Sequence, residues 1–335
     1  MEKLPIPSFF QPQKVGELWK VPYQEREAEA RQWVAQYGIK PAIEDKHRIG
    51  LLLVDVQNTF CLPGFELYVG GRSGTGAVDD NRRLCEFIYQ HLHQLTEIII
   101  TMDTHQAMQI FHAIFLVDRD GNHPPAYSNI SYEDIQQGKW SINPAVCTLL
   151  KLNEEQAKEY LLHYTKSLAK KGKYQLTIWP YHAMLGSIGH ALVAAIEEAV
   201  FFHTVARYSQ PTLLLKGDQP LTEHYSIVGP EVLTFADGKR LAKKSTAVLQ
   251  KLRELDALFI AGQAKSHCVA WTVEDIIAQI RQTKELELFK KIYLLEDCTS
   301  PVVIEGAIDY TDEADAAYRR FAETGLNVIT SDKWL

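Results

Sequence analysis

Four short apolar runs in this chain end in side chains that can do chemistry. The run 49–56 carries Asp55 near its end and continues as Gln57-Asn58-Thr59-Phe60. A carboxylate at the carboxyl end of a buried strand is costly unless it is paired or reactive. The run 97–102 leads into Asp103-Thr104-His105. Asp-x-His puts two metal-capable groups on one side of an extended chain, although the pair alone is a weak signal. Lys216 follows the run 212–215, where it could snorkel to solvent or steady a nearby anion. Cys268 follows the run 257–261 and starts a helical pattern over 269–281. A cysteine at a helix start gains from the dipole and free N–H groups, which favour the nucleophilic thiolate and could hold an oxyanion. It could equally be a small buried apolar residue. His267 is set aside as its partner, because adjacent residues entering a helix diverge. Trp179-Pro180-Tyr181-His182 adds aromatic surface and one more histidine.

These residues need a scaffold, and the pattern supplies one. Six short apolar runs, at 49–56, 97–102, 212–215, 257–261, 291–295 and 327–330, read as strands. Helical spacing lies between them at 79–92, 191–207, 269–281 and 314–323. Strands alternating with helices predict an α/β, doubly wound, mostly parallel six-stranded sheet with helices on both faces. Ligand sites in such sheets collect beyond the carboxyl ends of the strands. Residues 1–48, with four prolines and then a helical stretch at 24–37, read as an N-terminal arm, and 49–335 as a single domain. The segment 118–178 interrupts the alternation as an insertion, turn-rich at first and then a polar helix at 153–171. Six lysines between 151 and 173 read as a solvated helix face.

Composition narrows the classes. The 335 residues hold 35 Lys+Arg against 42 Asp+Glu, a net charge of −7, with 46% apolar residues. A mildly acidic chain has no general attraction for nucleic acid or anionic membrane, so neither is expected as a partner. No apolar run reaches the roughly 18–20 residues of a membrane span. The first ten residues lack the basic-then-apolar layout of a signal peptide. Five scattered cysteines, at 61, 85, 147, 268 and 298, argue against a disulfide framework and for a reducing, cytoplasmic setting.

Taken in order, the motifs resemble those of the isochorismatase-like cysteine hydrolases, nicotinamidases most of all. The family's Asp-Val-Gln-Asn-x-Phe-Cys stands here as Asp55 to Cys61, and its Trp-Pro-x-His as Trp179 to His182 with Gly186 and Gly189. Its Lys-Gly followed by Tyr-Ser matches Lys216-Gly217 and Tyr225-Ser226. Its Gly-x-Ala-x-x-x-Cys-Val matches Gly262, Ala264, Cys268 and Val269, and Glu296-Asp297-Cys298 resembles its later Asp-x-Cys. The resemblance covers about 49–117 and 176–330.

It implies an isochorismatase-like hydrolase fold and hydrolysis of a small carboxamide, nicotinamide to nicotinate and ammonia, through a thioester on Cys268. Asp55 would be the acid/base, Lys216 the electrostatic support, and the backbone N–H groups of Ala264 and Cys268 the oxyanion hole, beside a cis peptide at Gln263–Ala264. Asp103, His105 and His182 would bind a divalent metal ion (Zn, Fe or Mn). Phe60 and Trp179 would sandwich the substrate ring, with Gln57 and Tyr225 also binding substrate. A homo-oligomer is expected.

The chain departs from the family at several points. Asp103-Thr104-His105-Gln106 replaces the usual Asp-Trp-His-Pro, leaving His112 as a candidate further ligand, and Ala183 stands where cysteine is common. Ala264-Lys265-Ser266-His267-Cys268 replaces Ala-Thr-Asp-Tyr-Cys. Two other readings therefore stand beside the first: a metal-independent relative acting on another amide, a carbamoyl compound or isochorismate, and a non-catalytic binding protein that keeps the fold.

Overall fold

The structure, a computed structural model, describes residues 3–170 and 174–335. Its centre is a six-stranded sheet of β1 (Ile49–Val54), β2 (Leu95–Asp103), β3 (Thr212–Lys216), β4 (Ala257–Gly262), β5 (Ile292–Leu295) and β6 (Asn327–Ile329). The spatial order is β3-β2-β1-β4-β5-β6, and every neighbouring pair is parallel. Chain order reverses between β1 and β4, which opens a crevice beyond their carboxyl ends.

Strands β1 and β4 are buried along their whole length, so they read as continuous apolar runs rather than alternating ones. Successive side chains still go to opposite faces. Leu51, Leu53, Ile98 and Ile100 pack with Leu84, Phe87 and Ile88 of α2 (Gly76–Gln90) and with Ile196, Ala199 and Phe202 of α4 (Ala194–Arg207); between these helices in the chain lies α3 (Glu154–Lys170). Leu52, Val54, Ile99 and Ile260 pack on the other face with α5 (Ala247–Glu254), α6 (Ala270–Thr283) and α7 (Thr311–Thr324). The sheet is thus doubly wound, as the alternating pattern predicts.

The N-terminal arm carries α1 (Tyr23–Tyr37), which lies on α4, with Arg26 Nε 2.7 Å from Glu198 Oε1 and Trp33 edge-on to Phe202. Segment 118–178 contributes two short antiparallel pairings, two short helices and α3. Its Ile130, Ile142, Leu161 and Tyr164 join the same apolar cluster as β1 and β2. Of the lysines on this stretch, Lys171 and Lys173 lie outside the described residues. Among the described residues, no helix is long and apolar enough to cross a membrane.

One residue of β4 shows how tightly the crevice is built. Gly262 has φ +117°, and a Cβ there would lie 2.1 Å from the Val54 carbonyl oxygen. No side chain can move to relieve a clash between two backbones. Gly262→Ala is therefore expected to cost roughly 3 kcal/mol or more. The check is circular dichroism, with a fall in thermal midpoint of about 4 °C or more; an unchanged midpoint would refute the packing argument.

Candidate active site

Asp55 is the first residue beyond β1. It has φ +48° and is fully buried. Its N–H donates to the Thr101 carbonyl at 3.2 Å and to Thr101 Oγ1 at 3.1 Å, and that hydroxyl donates to Asp55 Oδ1 at 2.6 Å. Lys216, the last residue of β3, does not snorkel outward: it is buried, with Nζ 2.9 Å from Asp55 Oδ2 and 2.9 Å from Asp103 Oδ1. The same ammonium donates to the His224 carbonyl at 3.1 Å and approaches Cys268 Sγ at 3.5 Å. Cys268 Sγ and one carboxylate oxygen each from Asp55 and Asp103 lie within 4.8 Å of one another. Residues separated by up to about two hundred positions thus surround one cation.

The two carboxylates are pushed apart. Burial raises the Asp55 pKa above the usual carboxylate value; Lys216 offsets part of this and Asp103 adds to it. Burial also works to raise Asp103, but His105 and Lys216 outweigh it and hold that carboxyl well below the usual range. Burial opposes the Lys216 charge, yet Asp103 and Asp55 keep its pKa well above that of an ordinary lysine. The Cys268 thiol is pushed up by burial, against the pull of Lys216. Asp55 is then the carboxyl suited to trading a proton with the thiol, and Asp103 the permanent anion. Diverging pKa values in neighbouring carboxyls are the usual mark of divided roles.

The cysteine loop follows β4 directly. The peptide Gln263–Ala264 is cis, residues Lys265–Val269 form a π-helical turn, and α6 continues from Ala270. The Ala264 carbonyl accepts the N–H groups of His267 and Val269. Gln263 is clamped from the side, donating to Asp80 Oδ2 at 2.8 Å and accepting from the Ser300 N–H at 3.3 Å. His267 packs among Tyr174, Tyr310, Tyr225 and Trp179. Burial lowers its pKa to about 3, so its ring is neutral.

Beside Lys216 lies a group that fits a metal ion. His105 Nε2 is 2.8 Å from Asp103 Oδ2, and His182 Nε2 is 3.9 Å from the same oxygen. His182 Nδ1 lies 2.7 Å from the Pro180 carbonyl. That contact assigns the proton to Nδ1 and leaves Nε2 free as a ligand. His112 makes the matching arrangement, Nδ1 to the Ala107 carbonyl at 3.1 Å, and its buried Nε2 has no hydrogen-bond partner among the described residues. The His112 ring centroid is 6.0 Å from those of both His105 and His182. Burial and the neighbouring His105 lower His182 to about 3 and His112 to about 4. The neutral rings of His182 and His112, with His105 and the Asp103 carboxylate, form a donor set suited to a divalent first-row metal. Gly217 permits the crowding: it has φ +95°, and a Cβ there would lie 2.9 Å from His105 Cε1.

A narrow cleft opens over this group, walled by Phe111, Trp179 and Tyr225 above Asp103, His105 and His182. Phe60 packs edge-on against His182, with ring centroids 5.5 Å apart. Gln57 corrects an expectation. It is fully buried, donates to the carbonyls of Asp103 and His190 at 2.9 Å each, and accepts the Asp103 N–H at 2.7 Å. With both amide protons committed to backbone, it holds Asp103 in place and has no donor left for a substrate. Glu223 and Thr101 also belong to this neighbourhood but carry no local sequence signal; each is defined by a partner far away in the chain.

No protein-family model matches the chain, and no curated protein sequence matches it. Solved structures do. A nicotinamidase/pyrazinamidase of Acinetobacter baumanii superposes with a TM-score of 0.50 at 19% identity, covering 86% of this chain and 99% of that one. The yeast nicotinamidase Pnc1p bound to the inhibitor nicotinaldehyde gives a TM-score of 0.51 at 18% identity, covering 84% and 99%. The chain shares its fold with these two nicotinamidase structures.

Proposed function

Starting from the fold shared with nicotinamidases, we propose that this chain is a cysteine amidohydrolase that releases ammonia from a small aromatic carboxamide, nicotinamide first. One observation carries the reading. Lys216 stands 2.9 Å from Asp55 and 3.5 Å from Cys268, so proton carrier, cation and nucleophile share one buried cluster.

The Asp55 carboxylate takes the thiol proton as Cys268 Sγ attacks the amide carbon. The oxyanion that forms is held by the N–H groups of Ala264 and Cys268. The C–N bond then breaks, Asp55 returns its proton to the departing nitrogen, and ammonia leaves a thioester on Cys268. Water attacks the thioester while Asp55 takes its proton; the C–S bond breaks, the acid departs, and Asp55 returns the proton to the Cys268 thiolate. Lys216 stays charged throughout and offsets the negative charge passed between Asp55 and Cys268. Trp179 and Tyr225 supply the apolar wall for the ring. Asp103, His105 and His182 would hold a divalent metal, with His112 as a further nitrogen donor. Bound there, the ion supplies a Lewis-acid anchor for a ring nitrogen.

The experiment is ammonia release from nicotinamide, pyrazinamide and other small amides. Turnover of nicotinamide supports the reading, and no ammonia from any amide overturns it. Nicotinaldehyde gives a second arm, because a thiol adds to its carbonyl carbon to form a hemithioacetal. Nicotinaldehyde binding, read by calorimetry, that is undiminished when Cys268 is replaced would count against the cysteine as nucleophile. Metal binding is tested separately. Stoichiometric Zn, Fe or Mn, with metal content and activity both lost in His182→Ala, is the expected result. Metal-free protein with activity indifferent to chelators would leave the metal-independent relative as the better description.

A further inference from the structure

Helix α3 belongs to the insertion, yet two of its tyrosines reach into the catalytic half of the molecule. Tyr160 and Tyr164 are four residues apart, hence on one helix face, and both are buried. Tyr160 Oη donates to the Leu221 carbonyl at 2.6 Å. Tyr164 Oη donates to Glu223 Oε2 at 2.7 Å and accepts the Glu223 N–H at 3.1 Å. The other carboxylate oxygen, Oε1, accepts from Tyr225 Oη at 2.7 Å, and Tyr225 Oη accepts from Trp179 Nε1–H at 3.0 Å.

In this chain each polar hydrogen is used once. Two phenol protons go to the two carboxylate oxygens, and the indole proton goes to the phenol oxygen between them. Only the far end, formed by Trp179, Tyr225 and Glu223, lines the cleft. The near end, Tyr164, is fully buried in the insertion. An indole against a flat ligand can pivot about its side-chain torsions, and a hydrogen bond on Nε1 fixes its plane.

We infer that Glu223 is a positioning residue for the aromatic wall of the cleft, and that the insertion sets this wall through Tyr164. Segment 118–178 is then part of what determines substrate affinity. The inference rests on the proposed reading only in taking the cleft as the place where the substrate ring binds.

The test uses Tyr164→Phe, the mildest break, with Glu223→Gln as a second variant and Tyr225→Phe as the direct cut. In the ¹H–¹⁵N spectrum of the full chain, the Trp179 indole resonance is assigned by its loss in Trp179→Phe. Tyr164→Phe is expected to move that resonance although Tyr164 is three hydrogen bonds away. With whichever aromatic amide is turned over, KM should rise about fivefold, the scale of one lost hydrogen bond, while kcat changes less than about twofold. Lys158→Ala, on the exposed side of the same helix, should leave both readouts at wild type. The inference is overturned if Tyr164→Phe leaves the indole resonance in place, or if activity falls only in proportion to folded protein with KM unchanged. Absence of turnover with every amide would defeat the proposed function, while the indole arm would still decide the relay.

Discussion

Cys268→Ala is expected to abolish ammonia release, by a factor on the order of 10⁴ or more, while the protein remains folded. The two halves of this expectation have separate causes. The thiol is the strongest nucleophile among the described residues of the cluster, since Lys216 is held in its charged form between two carboxylates and those carboxylates are weaker nucleophiles. Without the thiol, water must attack an unactivated amide directly. The fold, by contrast, loses one sulfur atom from a buried position, with a transfer cost of about 1 kcal/mol. The rest of the loop is held by other bonds: Ala264 still caps two N–H groups, and Gln263 keeps Asp80 and Ser300. The decisive measurement pairs ammonia release with the thermal midpoint. Residual turnover above about one per cent of wild type, in protein shown to be free of wild-type carry-over, would remove Cys268 from the nucleophile's role. A collapse of the midpoint would instead show that the loop depends on this side chain for its structure.

How much of this was legible beforehand depends on the physical distance over which each feature is encoded. The central strands were legible because a parallel strand buried on both faces must be a continuous apolar run; the edge strands β3 and β6 are only partly buried but keep short apolar runs of their own. Their ends moved by only one or two residues; the run from 97, for example, begins at Leu95 in β2. Asp55, Asp103, Lys216 and Cys268 were legible as polar residues stopping such runs, and the doubly wound order then brings the run ends together. The approach to Cys268 was less so. Helical periodicity marks a helix start near 269 but carries no sign of the π-helical turn at Lys265–Val269. Gln57 was misassigned because its place beside Asp55 reports proximity to the site, not the direction of its amide, which turns to the Asp103 backbone. Tyr164 and Glu223 were invisible for a different reason. Each is ordinary in its own surroundings, and their meeting depends on how an insertion docks, 59 positions away.

The second large effect is expected at Lys216. Lys216→Met keeps the length and apolar stem of the side chain but removes its charge, leaving Asp55 and Asp103 buried without the cation both contact at 2.9 Å. Breaking a buried ion pair by removing one partner typically costs about 3–5 kcal/mol, because the remaining charge has neither water nor counter-ion. The thermal midpoint should fall by roughly 4–7 °C, and turnover should be lost with it. The pH dependence identifies the cause. In the wild type, Asp103 is held below its unfolded value, so it binds fewer protons folded than unfolded and adds stability that is present above the ordinary carboxylate range and lost on acidification. Without Lys216 much of that contribution disappears, so the deficit between variant and wild type should be widest near neutral pH and narrow as the pH falls. Asp55→Asn placed on top of Lys216→Met removes one uncompensated charge. It should return part of the lost stability without returning activity, because no proton carrier remains beside Cys268. A Lys216→Met protein with a wild-type midpoint, or a double variant less stable than the single one, would show that the ammonium is not what makes two buried carboxylates tolerable.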